Sequence, residues 1–80
     1  MKRLPRDISS MELVQLLKKF GYEISLQKGS HIRLTTFLEG EHNITIPNHN
    51  PIRLGTLSSI LFEIAGHFKK TKEEISNEIF

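Results

Sequence analysis

"GYEISLQKGSHIRLTT", residues 21 to 36, is where the chain changes its period. From Tyr22 the apolar residues alternate, with Tyr22, Ile24 and Leu26 on one side and Glu23, Ser25 and Gln27 on the other. The run that follows sets Ile32 and Leu34 against His31, Arg33 and Thr35. A period of two marks a strand buried on one face only. For Leu26 and Ile32 to share the inner face, the loop between the two strands must hold an odd number of residues, and Lys28, Gly29 and Ser30 meet that condition. Gln27 then faces His31, and Ser25 faces Arg33.

Upstream, "SSMELVQLLKKFG" has Ser9 three residues before Glu12, the spacing of a capping box. Met11, Leu13, Val14, Leu16, Leu17 and Phe20 recur at helical spacing and form one stripe. Gly21 is placed to take the left-handed conformation that ends the helix. Downstream, "LEGE" supplies a turn into a third strand, "NITIP", with Ile44 and Ile46 inward. An antiparallel meander returns Pro47, Asn48 and His49 to the end of the sheet that carries His31. "NHNPIRLG" reads as a loop, after which Thr56 caps a second helix with the stripe Leu57, Ile60, Leu61, Ile64 and Phe68, ended or loosened at Gly66. In "TKEEISNEIF" Thr71 stands three residues before Glu74, a second capping box, and Ile75, Ile79 and Phe80 share one side of a last short helix.

The order is helix, three strands, helix, helix. A three-stranded antiparallel sheet with one apolar face needs cover, and two striped helices supply it, so the expected class is α+β, a two-layer sandwich with the other sheet face open to water. That open face carries Glu23, Ser25, Gln27, His31, Arg33, Thr35, Asn43 and Thr45. One domain over residues 1–80 is expected, because a chain of 80 residues hides only about 60 to 65 percent of its unfolded surface and commits most of its apolar residues to one core. Little is left over for a deep pocket on the same ground. Any chemistry falls to a few residues on an open surface acting on a large substrate.

The chain has no cysteine and a net charge of +2. The first removes disulfides and thiolate metal sites and fits a reducing compartment, the cytoplasm. The second is a mild bias toward anionic partners. Lys2, Arg3 and Arg6 form a basic start, read first as a disordered terminus and second as a contact to RNA or a partner, and no carboxylate lies between Glu23 and Glu39, so the segment holding Lys28 and Arg33 is locally cationic. No apolar run has the roughly 20 residues of a membrane span, and no secretory signal is recognisable.

"KGSHIR" holds the chemistry. Histidine titrates near pH 6.5, so around neutral pH it can take a proton from a ribose 2'-hydroxyl and return one to a leaving oxygen. Alternate strand residues stand about 6.7 Å apart, close to the spacing of successive phosphates, so His31 and Arg33 can serve adjacent positions on one RNA strand, with Arg33 clamping phosphate and stabilising developing charge. Gly29 lets backbone approach backbone, and the turn amides at Lys28, Gly29 and Ser30 can hold a phosphate. His49 is a second candidate, either dividing the acid and base roles with His31 or ordering "PNHNP" by hydrogen bonds. Gly55 and Thr56 either only open the helix or also present free amides to a phosphate. His42 and His67 are expected on the surface. A zinc site from His31, His42 and His49 is disfavoured, since opposite strand ends separate the ligands; no metal and no cofactor is expected.

"KKFGYEISLQKGSHIRL", then "ITIPNH", then "GTLSSIL" together resemble the HicA family of toxin-antitoxin modules, from Ser10 to about Ile75. The resemblance implies a fold like the double-stranded-RNA-binding domain and the activity of a messenger-RNA interferase, an endoribonuclease that works without a metal. It places the active histidine on His31 and implies neutralisation by a HicB-type antitoxin that covers the same face. In one respect the chain departs from the pattern: relatives often carry a basic residue just after "GTL", where this chain has Ser58. Two other classes stay open, a non-catalytic RNA-binding module and a protein-interaction domain. The former ordinarily needs a lysine cluster at the start of its last long helix, which "LGTLSS" lacks.

Overall fold

The computed structural model describes residues 4–80, so Lys2 and Arg3 of the basic start lie outside the described residues. Helix α1 spans Ser10–Leu17 and tightens into a 3₁₀ turn, Lys18–Phe20. Its capping box is closed in both directions: the Glu12 amide donates to Ser9 Oγ at 3.1 Å, and the Ser9 amide donates to Glu12 Oε1 at 2.9 Å. Leu13, Val14, Leu17 and Phe20 are buried. Met11, expected in the same stripe, is 47% exposed, because the face buried by a helix at the rim of so small a core is narrower than its apolar content. Gly21 then takes φ 80°, and a Cβ there would meet the side chains of Leu38 and Thr36 at 2.8 Å, so both conformation and space demand glycine.

Three antiparallel strands follow, β1 (Glu23–Lys28), β2 (His31–Thr36) and β3 (His42–Pro47), in the order β1-β2-β3. Between β2 and β3 the ladder is regular from His31 opposite Pro47 to Thr36 opposite His42. Ile32, Leu34, Ile44 and Ile46 face inward and are almost fully buried, while His31 and Arg33 are exposed on the other side.

Strand β1 departs from simple alternation. Ile24 pairs with Leu34, but Leu26 pairs with Arg33, Gln27 with Ile32 and Lys28 with His31, so a β-bulge at Ser25–Leu26 sets two residues against one. The extra residue reverses the parity of everything after it. The hairpin loop is therefore two residues, Gly29 and Ser30, rather than three; Gln27 faces Ile32 and not His31; and Leu26 leaves the core side for the outer face, 49% exposed. Gly29 takes φ 57° at the first loop position, where a two-residue hairpin of the II′ kind calls for glycine. Ile24 keeps inward parity yet is 41% exposed, because β1 is the edge strand and the helices cover it incompletely. Tyr22, just before the strand, is the residue of this segment that reaches the core.

Helix α2 runs over Leu54–Phe68 and α3 over Lys72–Ile79. The N-cap of α2 is Arg53, with no side-chain hydrogen bond, and Thr56 lies inside the first turn rather than capping it. The helix passes through Gly66 and stops at Lys69, which takes φ 56°. The second capping box is formed as expected, Thr71 Oγ1 accepting from the Glu74 amide at 3.1 Å and Glu74 Oε1 from the Thr71 amide at 2.8 Å. One core joins Leu13, Leu17, the inward residues of the sheet, Leu57, Leu61 and Ile64 of α2, and Ile75 of α3. The architecture is the α+β sandwich, with a sheet face left uncovered.

Candidate functional site

His31 opens β2 on the uncovered face, exposed, opposite Lys28 on one side and Pro47 on the other. The bulge in β1 brings Lys28 to this place: paired residues of an antiparallel ladder project to the same side, so the ammonium and the imidazole share the outer face. The Gly29-Ser30 turn delivers the chain to His31, and the Asn48 amide donates to the Ser30 carbonyl at 2.7 Å, holding the end of β3 against the turn. Among the described residues the His31 imidazole has no hydrogen-bond partner.

Arg33 lies on the same face, opposite Leu26 in β1 and Thr45 in β3. Its Nε donates to Ser25 Oγ at 3.2 Å, and Ser25 Oγ donates to the Arg33 carbonyl at 3.3 Å. Thr35 Oγ1 stands 2.8 Å from Ser25 Oγ and also hydrogen-bonds Asn43 Oδ1. An imidazole able to move a proton, an ammonium and a guanidinium thus line one open surface, with the Ser25 and Thr35 hydroxyls on the far side of Arg33 from His31, a set suited to a phosphodiester chain.

The other candidates separate. Gln27, on the core-side parity, is removed from the His31 face to the sheet edge. His49 is exposed two residues beyond the partner of His31. Gly55 and Thr56 fall in the first turn of α2, ahead of the helix's first intrahelical bond, from the Leu57 amide to the Arg53 carbonyl at 2.9 Å, and nothing stands within 4 Å of where a Gly55 Cβ would be. Ser58 is not bare of charge: Lys72 of α3 donates from Nζ to Ser58 Oγ at 2.6 Å. His42 pairs with Thr36 at the far end of β2 from His31, and among the described residues no group of three or more His, Asp or Glu could hold a metal ion.

Two features escaped sequence reading. Leu26 belongs to the outer face beside Arg33, and no composition signal marks the bulge that moves it there. His42 and His67 are half-buried rather than exposed, their rings stacked with centroids 4.5 Å apart and planes 9° from parallel. Tyr22 Oη lies 2.7 Å from His42 Nδ1, and His67 Nε2 donates to the Leu38 carbonyl at 2.9 Å. Burial, then the charge of His67, holds the His42 imidazole below its usual pKa against an opposing pull from Glu63. This cluster joins the C-terminal part of α2 to the β2-β3 turn and stands apart from the His31 end of the sheet.

A family model described as the HicA toxin of bacterial toxin-antitoxin systems matches residues 10–66. No curated protein and no solved structure matches the chain. Among the described residues no helix is long and apolar enough to cross a membrane.

Proposed function

The chain belongs to the HicA family of bacterial toxins, and from that premise we propose that it is an endoribonuclease that cleaves messenger RNA in the cytoplasm, with His31 as its acid-base residue. The observation that carries this reading is the exposure of His31 on the uncovered sheet face, with Lys28 and Arg33 on the same side. His31 takes the proton of a ribose 2'-hydroxyl; the freed oxygen attacks the adjacent phosphorus; the bond to the 5'-oxygen breaks, and that oxygen receives a proton from the imidazolium. A 2',3'-cyclic phosphate and a 5'-hydroxyl result, with no metal needed for any step. Arg33 and Lys28 offset the charge that grows on the phosphoryl oxygens, and the Gly29-Ser30 turn lets the strand approach closely.

One such general base contributes about 10² to 10⁴ in rate, which makes a slow nuclease, sufficient where a few cuts per message stop translation. Gly55 and Thr56 offer amides to a flanking phosphate, and Lys72 of α3 supplies a charge at Ser58, the position just after "GTL". His49 either assists proton transfer or orders its loop. The partner is a HicB-type antitoxin that covers the His31 face. Induced expression of wild type and His31→Ala in a bacterial host, following growth and message integrity, tests the reading. Wild type should arrest growth and fragment messages, and His31→Ala should do neither; equal arrest by both would remove His31 from the reaction.

A further inference from the structure

The proposed chemistry leaves the hydroxyls on the open face without a task. Ser25 stands in the bulge of β1, free of the regular ladder, and its Oγ both receives the Arg33 Nε proton at 3.2 Å and donates to the Arg33 carbonyl at 3.3 Å. Behind it Thr35 Oγ1, 2.8 Å away, is itself tied to Asn43 Oδ1 across β3. Thr35 Oγ1 has one proton to give, either to Ser25 Oγ or to Asn43 Oδ1, so the ties that fix the serine are the two it makes to Arg33 itself.

A guanidinium offers two forks to a phosphate, one formed by Nε with a terminal nitrogen and one by the two terminal nitrogens. Ser25 occupies the first. Among the described residues no carboxylate pairs with Arg33, the ion pair found being Lys70 with Glu78. A neutral hydroxyl thus fixes the side chain without cancelling its charge, which an aspartate or glutamate at the same place would do. Arginine carries substantial rotamer entropy, part of which is lost on binding unless the fork is already oriented.

We propose that Ser25 is a positioning residue for Arg33, holding the guanidinium by its Nε edge so that the two terminal nitrogens meet an RNA phosphate next to His31. The inference rests on the nuclease reading above and goes beyond it by giving the bulge a role: the extra residue keeps Ser25 beside Arg33 while bringing Lys28 opposite His31.

The test is a set of single-turnover cleavage and binding assays on an RNA oligonucleotide with wild type, Ser25→Ala, Ser25→Thr, Arg33→Ala and the Ser25→Ala/Arg33→Ala double variant, each checked by a denaturant melt. Ser25→Ala should lower kcat/KM about three- to tenfold, the worth of one net hydrogen bond, with an unshifted melt. The salt dependence of binding should stay as in wild type, because no charge is lost. Ser25→Thr should restore most of the activity. In the Arg33→Ala background Ser25→Ala should add nothing, since a residue that acts only through Arg33 has no further effect once Arg33 is gone. Independent, additive losses would overturn the inference. So would a Ser25→Ala protein as fast as wild type while His31→Ala is inert, an outcome that leaves the nuclease reading standing. Wild-type protein that cuts no RNA would take down both.

Discussion

Leu34 is fully buried between the sheet and the helices, whereas Leu26, one pair along the β1-β2 ladder, stands half exposed beside Arg33. The two leucines should answer truncation differently. Leu34→Ala removes packed methyl groups and leaves a cavity, at a cost of about 2 to 5 kcal/mol; Leu26→Ala should cost less than about 1 kcal/mol. Denaturant titration of both variants checks the pair, and an unshifted melt for Leu34→Ala would put that side chain on the wrong face. The inward placement of Ile32, Leu34, Ile44 and Ile46, and with it the outward placement of His31 and Arg33, was legible from alternation alone, since these strands are regular and one face is covered. Leu26 and Gln27 were not. Alternation records parity only while each residue has one partner, and an inserted residue reverses it without changing composition.

The elements divide along the same line. Both capping boxes, Ser9 with Glu12 and Thr71 with Glu74, were readable because their residue types and spacing are themselves the mechanism. The start of α2 was not, because Thr56 has the chemistry of a cap while the backbone turns into the helix two residues earlier, at Leu54. Arg53 holds the N-cap position in the extended conformation that a capping residue adopts, φ −66° and ψ 144°, yet makes no side-chain cap. A cation there also opposes the positive end of the helix dipole. Arg53→Asn should therefore stabilise the fold by about 0.5 to 1 kcal/mol. It also removes a positive charge beside the amides of Gly55 and Thr56, so RNA association should weaken as the fold strengthens. Denaturant midpoints measured beside an RNA titration test the two effects together; a gain in both stability and binding would show that the N-terminus of α2 takes no part in the interface.

Across the whole molecule the sheet has two unlike ends. At one, His31 is exposed with cations beside it; at the other, His42 and His67 stack beneath the β2-β3 turn and are held by Tyr22 and the Leu38 carbonyl. Burial pushes the Tyr22 hydroxyl up, so it remains a donor to His42 Nδ1. Protonating His42 would remove that acceptor and set charge against His67, with Glu63 of α2 the carboxylate that offsets it in part. Because the folded pKa of His42 is lowered, the native state binds this proton less readily than the unfolded chain. Its contribution to stability is therefore complete above the unfolded value of about 6.5 and is lost as the pH falls from there toward the folded value. The carboxylates of Glu12 and Glu74, held low by hydrogen bonds from Ser9 and Thr71, weaken the fold only below 4.5, so the two windows are distinct. The denaturation midpoint should be level between about pH 7 and 8 and fall as the pH drops below about 6.5. His42→Gln, which keeps a polar group near Tyr22 but cannot titrate, should flatten that decline; an equally steep one would assign the acid sensitivity to another group.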